Sequence, residues 1–536
     1  MEAIVSEREQ DAAAVESQAQ VHDAELAIHC RNHAIRLSLQ GYFAESESYS
    51  REALRLRPDD VDILNELGVA LWRQGRSDEA EEIYERACRI EPNDFRILTN
   101  LGLALYSLGR IDEAGASYRK ALEIRLDTFD AVMNLGIVLT DQGGFDEALT
   151  WLYRAHELRP DSADALQNIG LNLACQGRLD EAIAYFDATL ALEPESAEVH
   201  RNLAYALLSS GDYKRGWREH EWRLKCHGAE GYRVNGSFWN GDDFRGKTLL
   251  LHAENGFGDI LQFIRYASTV KRRGGQVMLL CPGRLLRLLA RCEGVDLACD
   301  GSSYIPNCHI HIPLLSLPAV MGTTIDTVPA DVPYLRADAV LVEHWRAALG
   351  SAIKTQGAGL PDGGAAENAL EKPFLIGVAW QGNPARRLDH WRSFPLAQLA
   401  GLARLPGACL VSLQVEHGLD QLAGAGRSFP VIDVLGTRDR DFVETAALLT
   451  QLDLVITPDT AVAHLAGGLG LPVWVALCAL GDWRYPQGRN DTPWYPTMRL
   501  FRQSRLGEWD DVFAEMTSAL EGLLAKSATT SSGGLG

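Results

Sequence analysis

The chain lacks most of the features that mark the simple function classes. None of its ten cysteines stands at C-x-x-C spacing to another. That scatter excludes a regular disulfide framework and fits free, mostly buried thiols in a reducing compartment. Cys281, Cys292, Cys299 and Cys308 are the densest group, without zinc-ligand spacing. A basic stripe is also missing. With 51 Lys and Arg against 72 Asp and Glu, the net charge is −21, which argues against nucleic acid as the main partner and gives no support to a membrane-surface role. The first residues, Met1 to Glu9, are charged and carry no apolar signal region. A cytoplasmic protein is therefore expected. No fixed charge falls between Asp459 and Asp482, but His464 and the Gly470-Leu471-Pro472 break lie inside this stretch and no basic residue flanks its start, so no membrane span is expected.

What is present begins with a period of 34 residues over 27–230. Glycine recurs at 41, 75, 109, 143, 177 and 211. A second small position holds Ala34, Gly68, Gly102, Gly136, Gly170 and Ala204, and Asp-Glu-Ala recurs at 78–80, 112–114, 146–148 and 180–182. Period and pattern are those of the tetratricopeptide repeat, a helix pair that buries its apolar face only by stacking on its neighbours. About six repeats are expected, forming an α-solenoid. Two residues before the small position stand Asn32, Glu66, Asn100, Asn134, Asn168 and Asn202. Asparagine is a poor helix former, and Glu or Lys would serve a solvated face better. Its amide both donates and accepts, so such a row can hold an extended peptide backbone without reading its sequence.

Beyond residue 246 the pattern changes to strand, turn, helix, strand. Leu454–Thr457, the turn Pro458-Asp459-Thr460, the helix 461–469 and the strand Val473–Leu477 form one such unit. Lys247–His252, a glycine-rich turn through Gly256, Gly258 and Asp259, a helix 260–273 and the strand Gln276–Leu280 form another, without the full G-x-G-x-x-G fingerprint. Phe374–Ala379 and Cys409–Leu413 are further strands. In parallel sheets ligands bind beyond the carboxyl ends of the strands, which is where Asp259, Asp459, Thr460 and His464 fall. Asp459 and Thr460 also read as plain helix caps. Asp259 reads either as a first-turn acid favoured by the helix dipole or as a general base, with Glu254 and His252 as reserves. Arg386, Arg387 and Arg392 follow the turn 380–384, where guanidinium groups suit a pyrophosphate. Asp441, in the Asp439-Arg440-Asp441 triplet, reads as a helix cap rather than as half of a metal-binding pair.

Asp459-Thr460-x-x-x-His464, continuing through Asp482-Trp483-Arg484 and Asp491–Pro496, resembles the donor-binding segment of the heptosyltransferase-like GT-B glycosyltransferases. Gly256–Leu261 resembles their acceptor-side motif, in which the aspartate is the proposed base. With the repeats, the chain resembles bacterial proteins that fuse tetratricopeptide repeats to such a domain, and its asparagine row resembles the ladder of the repeat-bearing O-GlcNAc transferases. The resemblance implies two Rossmann-like α/β domains facing a cleft, a nucleotide-sugar as co-substrate, no cofactor and no metal. It implies Asp259 as catalytic base, and Gly256, Gly258, Asn383, Arg386, Arg392, Gln414, Asp459, Thr460 and His464 at the nucleotide-sugar. It also implies a protein acceptor in a groove lined by Asn32, Asn100, Asn134, Asn168 and Asn202, with a Ser or Thr hydroxyl as nucleophile. Similarity to repeat-bearing flagellin glycosyltransferases makes flagellin the candidate acceptor. A transferase building a cell-surface glycan and a non-catalytic scaffold with a decayed GT-B domain are the alternatives.

The expected organisation is a disordered lead-in 1–26, repeats 27–230, a connector 231–246, an acceptor-side domain 247–350, a flexible linker 351–372, a nucleotide-sugar domain 373–526 whose terminal helix crosses back to the first domain, and a disordered tail 527–536.

Overall fold

The computed structural model describes residues 22–226, 234–254, 256–302, 307–356, 373–385, 388–425, 428–436 and 441–532. The chain divides into two compact units. Residues up to Gln176 together with Ala184–Pro194 form the first, and Gly177–Ile183 with the chain from Glu195 onward form the second.

The first unit is built from antiparallel helix pairs such as Val61–Arg73 with Ser77–Ile90 and Phe95–Ser107 with Ile111–Ile124. The repeated glycine ends the first helix of each pair. Gly41, Gly75, Gly109, Gly143, Gly177 and Gly211 all have φ between 74° and 94°, a conformation that a Cβ disfavours. The small position has a different cause. A Cβ on Gly102 would lie 2.6 Å from the Tyr118 ring, one on Gly136 2.7 Å from Leu152 and one on Gly170 2.8 Å from Phe186. The second helix of each repeat thus drives a large side chain onto the bare backbone of the first, and these side chains are fully buried. The helix at the start runs from residue 22, inside the stretch expected as a disordered lead-in, because it is the first helix of the first repeat.

The second unit contains two parallel sheets. The first sheet has strands β1 (Ser237–Phe238), β2 (Thr248–His252), β3 (Gln276–Leu280), β4 (Leu297–Cys299) and β5 (Ile310–Pro313) in the order β1-β5-β2-β3-β4. The second has β6 (Phe374–Val378), β7 (Ala408–Ser412), β8 (Val431–Ile432), β9 (Leu454–Pro458), β10 (Val473–Leu477) and β11 (Met498–Arg502) in the order β11-β10-β9-β6-β7-β8. The central strands β7, β9 and β10 are buried at every residue, as apolar runs covered by helices on both faces require.

Several expectations are corrected here. The helix expected over 260–273 is broken into Phe257–Phe263, a 3-10 turn Ile264–Tyr266 and Ala267–Lys271. Helix Ala339–Gln356 runs through the start of the expected linker, and 357–372 lie outside the described residues. Among the described residues, the terminal helix Asp510–Ser532 packs on the second sheet rather than on the first. Val512, Phe513, Met516 and Leu520 pack with Phe394, Val378 and Ile456 of the second. It continues past Lys526 into the segment expected to be disordered. Finally, the sixth helix pair, Ala197–Ser210 and Tyr213–His220, belongs to the second unit. Trp217 explains this. It is buried, donates to the Thr323 carbonyl at 2.9 Å and meets Trp483 edge-on at 5.3 Å.

The tight Gly102–Tyr118 approach yields a prediction. Gly102→Ala should destabilise the repeat array by about 1–3 kcal/mol, the usual cost of overpacking. The shift in its thermal or urea midpoint measures this, and Tyr118→Leu in the same chain should relieve part of it.

Candidate functional site

The second sheet supplies one wall of the site. β9 ends at Pro458, and Thr460 stands at the start of helix Ala461–Gly468 with extended backbone. Its side chain makes no capping hydrogen bond. Its hydroxyl lies 3.0 Å from the Thr457 hydroxyl instead, so Thr460 is not the plain cap that its position allows. The first helical amides are thereby left uncapped by a side chain at the cleft, where the helix dipole favours an anion. Asp459 is held at both ends. Its carboxylate accepts from the Tyr485 hydroxyl at 3.0 Å, and its carbonyl accepts from Arg392 Nη1 at 3.2 Å. Arg392 in turn donates through Nε to buried Asp389 at 2.8 Å. The approach requires Gly382, where a Cβ would stand 2.5 Å from Arg392 Nη2.

The first sheet supplies the facing wall. After β2 the chain turns through Gly256, at φ 87°, into helix Phe257–Phe263, with Asp259 in its first turn. Asp259 pairs with Arg484 at 2.5 Å, and Arg484 also contacts Asp482 at 3.3 Å and Gln262 Oε1 at 2.8 Å. The guanidinium lies 4.1 Å over the Trp483 ring. Burial works against its charge, but Asp482 and Asp259 outweigh burial and hold Arg484 firmly protonated. Gly258 has a packing role. A Cβ there would lie 2.8 Å from His464 Cδ2, so only glycine lets this helix lie against the histidine ring.

His464 is 4% exposed. Burial, then the charges of Arg484 and Arg265, push its pKa down to about 3, so the ring is neutral. Nδ1 lies 2.9 Å from the Tyr495 hydroxyl, and Nε2 lies 3.8 Å from Asp459 Oδ1, beyond hydrogen-bond distance.

These groups line one cleft of about 530 Å³. Gly256, Gly258, Asp259, Asn383, Arg392, Gln414, Asp459, Thr460 and His464 all reach its surface. Arg386 lies outside the described residues. Gln414 is a wall-former: its Oε1 accepts from the Trp380 and Gln381 amides, and its Nε2 donates to the Gln381 and His417 carbonyls. With every side-chain amide bond spent on the loops it joins, it shapes the cleft wall. The reserve bases do not line this cleft. Glu254 is engaged by Arg223 at 2.8 and 3.0 Å, and His252 faces His311 at 3.2 Å, away from the cleft lining.

Arg484, Asp482 and Tyr205 also line the cleft and were not singled out as site residues from the sequence. The signal for Arg484 was available in the Asp482-Trp483-Arg484 spacing, but its partner stands 225 residues away. Asp441 caps its helix as expected, accepting from the Val443 amide at 3.2 Å. Of the asparagine row, Asn32, Asn100, Asn134 and Asn168 lie in the first unit and Asn202 in the second. Asn100 donates to Asn65 at 2.8 Å and Asn168 to its own helix at the Asp164 carbonyl, whereas the buried Asn202 Nδ2 has no hydrogen-bond partner among the described residues.

Two outcomes follow from the buried charges. Arg484→Met leaves Asp259 and Asp482 facing each other without a cation. It should destabilise the second unit by about 3 kcal/mol, the lower end for a broken buried pair because both carboxylates keep some water; the thermal midpoint reports it. The pKa of His464 is about 3 in the fold against 6.5 unfolded, so the folded state binds fewer protons below pH 6.5. Its contribution to stability is complete above pH 6.5 and is lost as the pH falls towards 3. His252, pushed down to about 4, acts in the same direction. The melting temperature should fall on acidification below pH 6.5, less steeply in His464→Gln.

Tetratricopeptide repeat sequence models match residues 33–95, 102–143 and 127–195. A curated relative, protein FlbA of Caulobacter vibrioides, is 25% identical over 352 residues, covering 60% of this chain. The chain spans 54% of that relative's length. Among solved structures, YrrB, described as a tetratricopeptide protein with an unusual peptide-binding site, is 23% identical with a TM-score of 0.29, covering 34% of this chain and 94% of its own. A thermophilic tetratricopeptide protein of Thermus thermophilus is 21% identical with a TM-score of 0.31, covering 34% and 99%. The chain thus carries an N-terminal array of tetratricopeptide repeats, and its C-terminal part is an α/β structure with two parallel sheets.

Proposed function

We propose that the protein is a metal-independent GT-B glycosyltransferase that moves a sugar from a nucleotide-sugar to a Ser or Thr hydroxyl of a protein recruited by the repeats. One observation carries this reading. Asp259 from the first sheet and Arg392, Asp459, Thr460 and His464 from the second face one cleft beyond the strand ends. The uncapped helix start behind Thr460 and the Arg392 guanidinium suit the phosphates of a nucleotide. On the opposite wall Asp259 takes the acceptor's proton as its oxygen bonds to the anomeric carbon. The bond from that carbon to the phosphate oxygen breaks, and the nucleotide leaves with the electron pair. Arg484 pairs with Asp259 and aims its carboxylate. Tyr205, on helix Ala197–Ser210 of the sixth repeat, lines the same cleft as Asp259, so that repeat stands at the acceptor side. The resemblance to flagellin glycosyltransferases makes flagellin the first acceptor to test and CMP, carrying an acidic nine-carbon sugar, the first nucleotide.

Thermal stabilisation by UDP, GDP, ADP, CMP and CDP tests the reading. A nucleotide at 100 times its Kd adds about 2.7 kcal/mol of stability. One nucleotide should raise the melting temperature, and Thr460→Ala should abolish the shift. No shift at millimolar concentration would leave the repeats as a scaffold. Transfer assays with the stabilising donor should give labelled protein, unaffected by chelator and lost in Asp259→Asn; label on a glycan would redirect the assignment.

A further inference from the structure

His464 is embedded in a chain of hydroxyls and one buried cation that reaches into the first sheet's helices. Tyr495 is 1% exposed, and its hydroxyl lies 2.9 Å from His464 Nδ1. On its other side stands Tyr334, which donates its one proton to the Leu261 carbonyl at 2.9 Å and whose oxygen lies 3.4 Å from the Tyr495 oxygen. Arg265 closes the group. Its Nη2 donates to the Tyr334 hydroxyl at 3.0 Å, its other donors reach the carbonyls of Gln262, Pro329 and Trp494, and its guanidinium carbon lies 4.4 Å from the Tyr495 ring centre.

The protons can be assigned from this geometry. A guanidinium cannot accept a hydrogen bond, and Tyr334, whose one proton goes to the Leu261 carbonyl, offers only an oxygen 3.4 Å away that already accepts from Arg265. Among the described residues, His464 Nδ1, at 2.9 Å, is therefore the nearest acceptor for the Tyr495 proton. A buried hydroxyl left without an acceptor costs about 1–3 kcal/mol, which sets the direction of the bond. Nδ1 accepts, so in a neutral ring the hydrogen is on Nε2.

We infer that Tyr495 is a positioning residue that holds His464 as the Nε2–H tautomer, turning the histidine into a fixed neutral donor aimed at an anionic oxygen in the cleft. Nε2 has no hydrogen-bond partner among the described residues. Asp459 Oδ1 is 3.8 Å away and already accepts from Tyr485. The groups facing the ring from every side favour the neutral form in sum. Arg484 from the loop after β10 and Arg265 from the first sheet's helices oppose protonation, Asp482 and the Asp459 carboxylate 3.8 Å from Nε2 favour it, and burial adds the largest part. A neutral donor stabilises charge that develops on a leaving oxygen without adding a formal charge beside Arg484. That the oxygen belongs to a nucleotide phosphate rests on the proposed transferase reading; the tautomer does not.

Two-bond nitrogen–proton spectra of the full-length protein, labelled with 15N-histidine, test the inference without any ligand. The His464 signal is identified by its loss in His464→Gln. The neutral Nε2–H pattern should persist from pH 8 to pH 5 with no titration near 6.5. An Nδ1–H pattern, or titration near 6.5, overturns the inference. In Tyr495→Phe the pattern should become mixed or reverse, and an unchanged pattern shows that Tyr495 does not set it. The nucleotide that stabilises the wild type should shift Nε2, and Tyr495→Phe should weaken its Kd about tenfold, since one charge-assisted hydrogen bond is worth about that factor. A wild-type Nε2–H signal that no nucleotide moves supports the tautomer and overturns the nucleotide reading instead.

Discussion

The second unit depends on where one buried cation finds its counter-charges. Arg484 is 11% exposed at its side chain, and a guanidinium taken out of water at that depth costs several kcal/mol unless carboxylates meet it. One of them, Asp482, is local. The other, Asp259, comes from a helix on the first sheet, and Gln262 one turn later adds an acceptor. The two sheets therefore cannot separate at this point without stranding charge. Trp483, Trp494, Phe263 and Trp217 pack around the pair, mostly edge to face, keeping water out and strengthening the attraction.

Around that centre the cleft divides its residues between those that face the interior and those that hold them. Asp389 holds Arg392, Tyr485 holds Asp459, Tyr495 holds His464, and Gln414 knits the loops after β6 and β7. Each holder is buried or nearly so, and each has its polar atoms committed. Such a shell keeps a site within a few tenths of an ångström of its working geometry, because the functional side chain is left with one comfortable rotamer. Two glycines complete it. Gly258 and Gly382 are there so that a histidine ring and a guanidinium can lie against backbone.

Much of this architecture was legible in the residues. The 34-residue period, its glycine at each first-helix end and its small position all correspond to left-handed turns and close approaches in the structure. β3 and β10 have the bounds that their apolar runs suggest, and Asp441 is the cap that its place before an apolar helix suggests. The residues expected at the strand ends, from Gly256 and Asp259 to Thr460 and His464, meet in one cleft wherever they are described. Other features were not legible. The side-chain amide of Gln414, expected at the nucleotide-sugar, lines the cleft while bonded to the loops it joins. The helix at 260–273 looked continuous but breaks at Ile264–Tyr266. The sixth repeat keeps the repeat pattern yet packs with the sheets, since Trp217 and Tyr213 bury into their core.

By itself the sequence determined what depends on neighbours along the chain: the repeat period, the helix ends, the parallel strands and the turns that carry Asp259 and Asp459. These are set by backbone sterics, side-chain periodicity and capping, all of which act within a few residues. The tertiary structure alone decided which carboxylate meets Arg484, that His464 is neutral, and that the sixth helix pair joins the sheets. Ionisation and pairing depend on burial and on charges brought together from positions as much as 225 residues apart, and no local pattern encodes that distance.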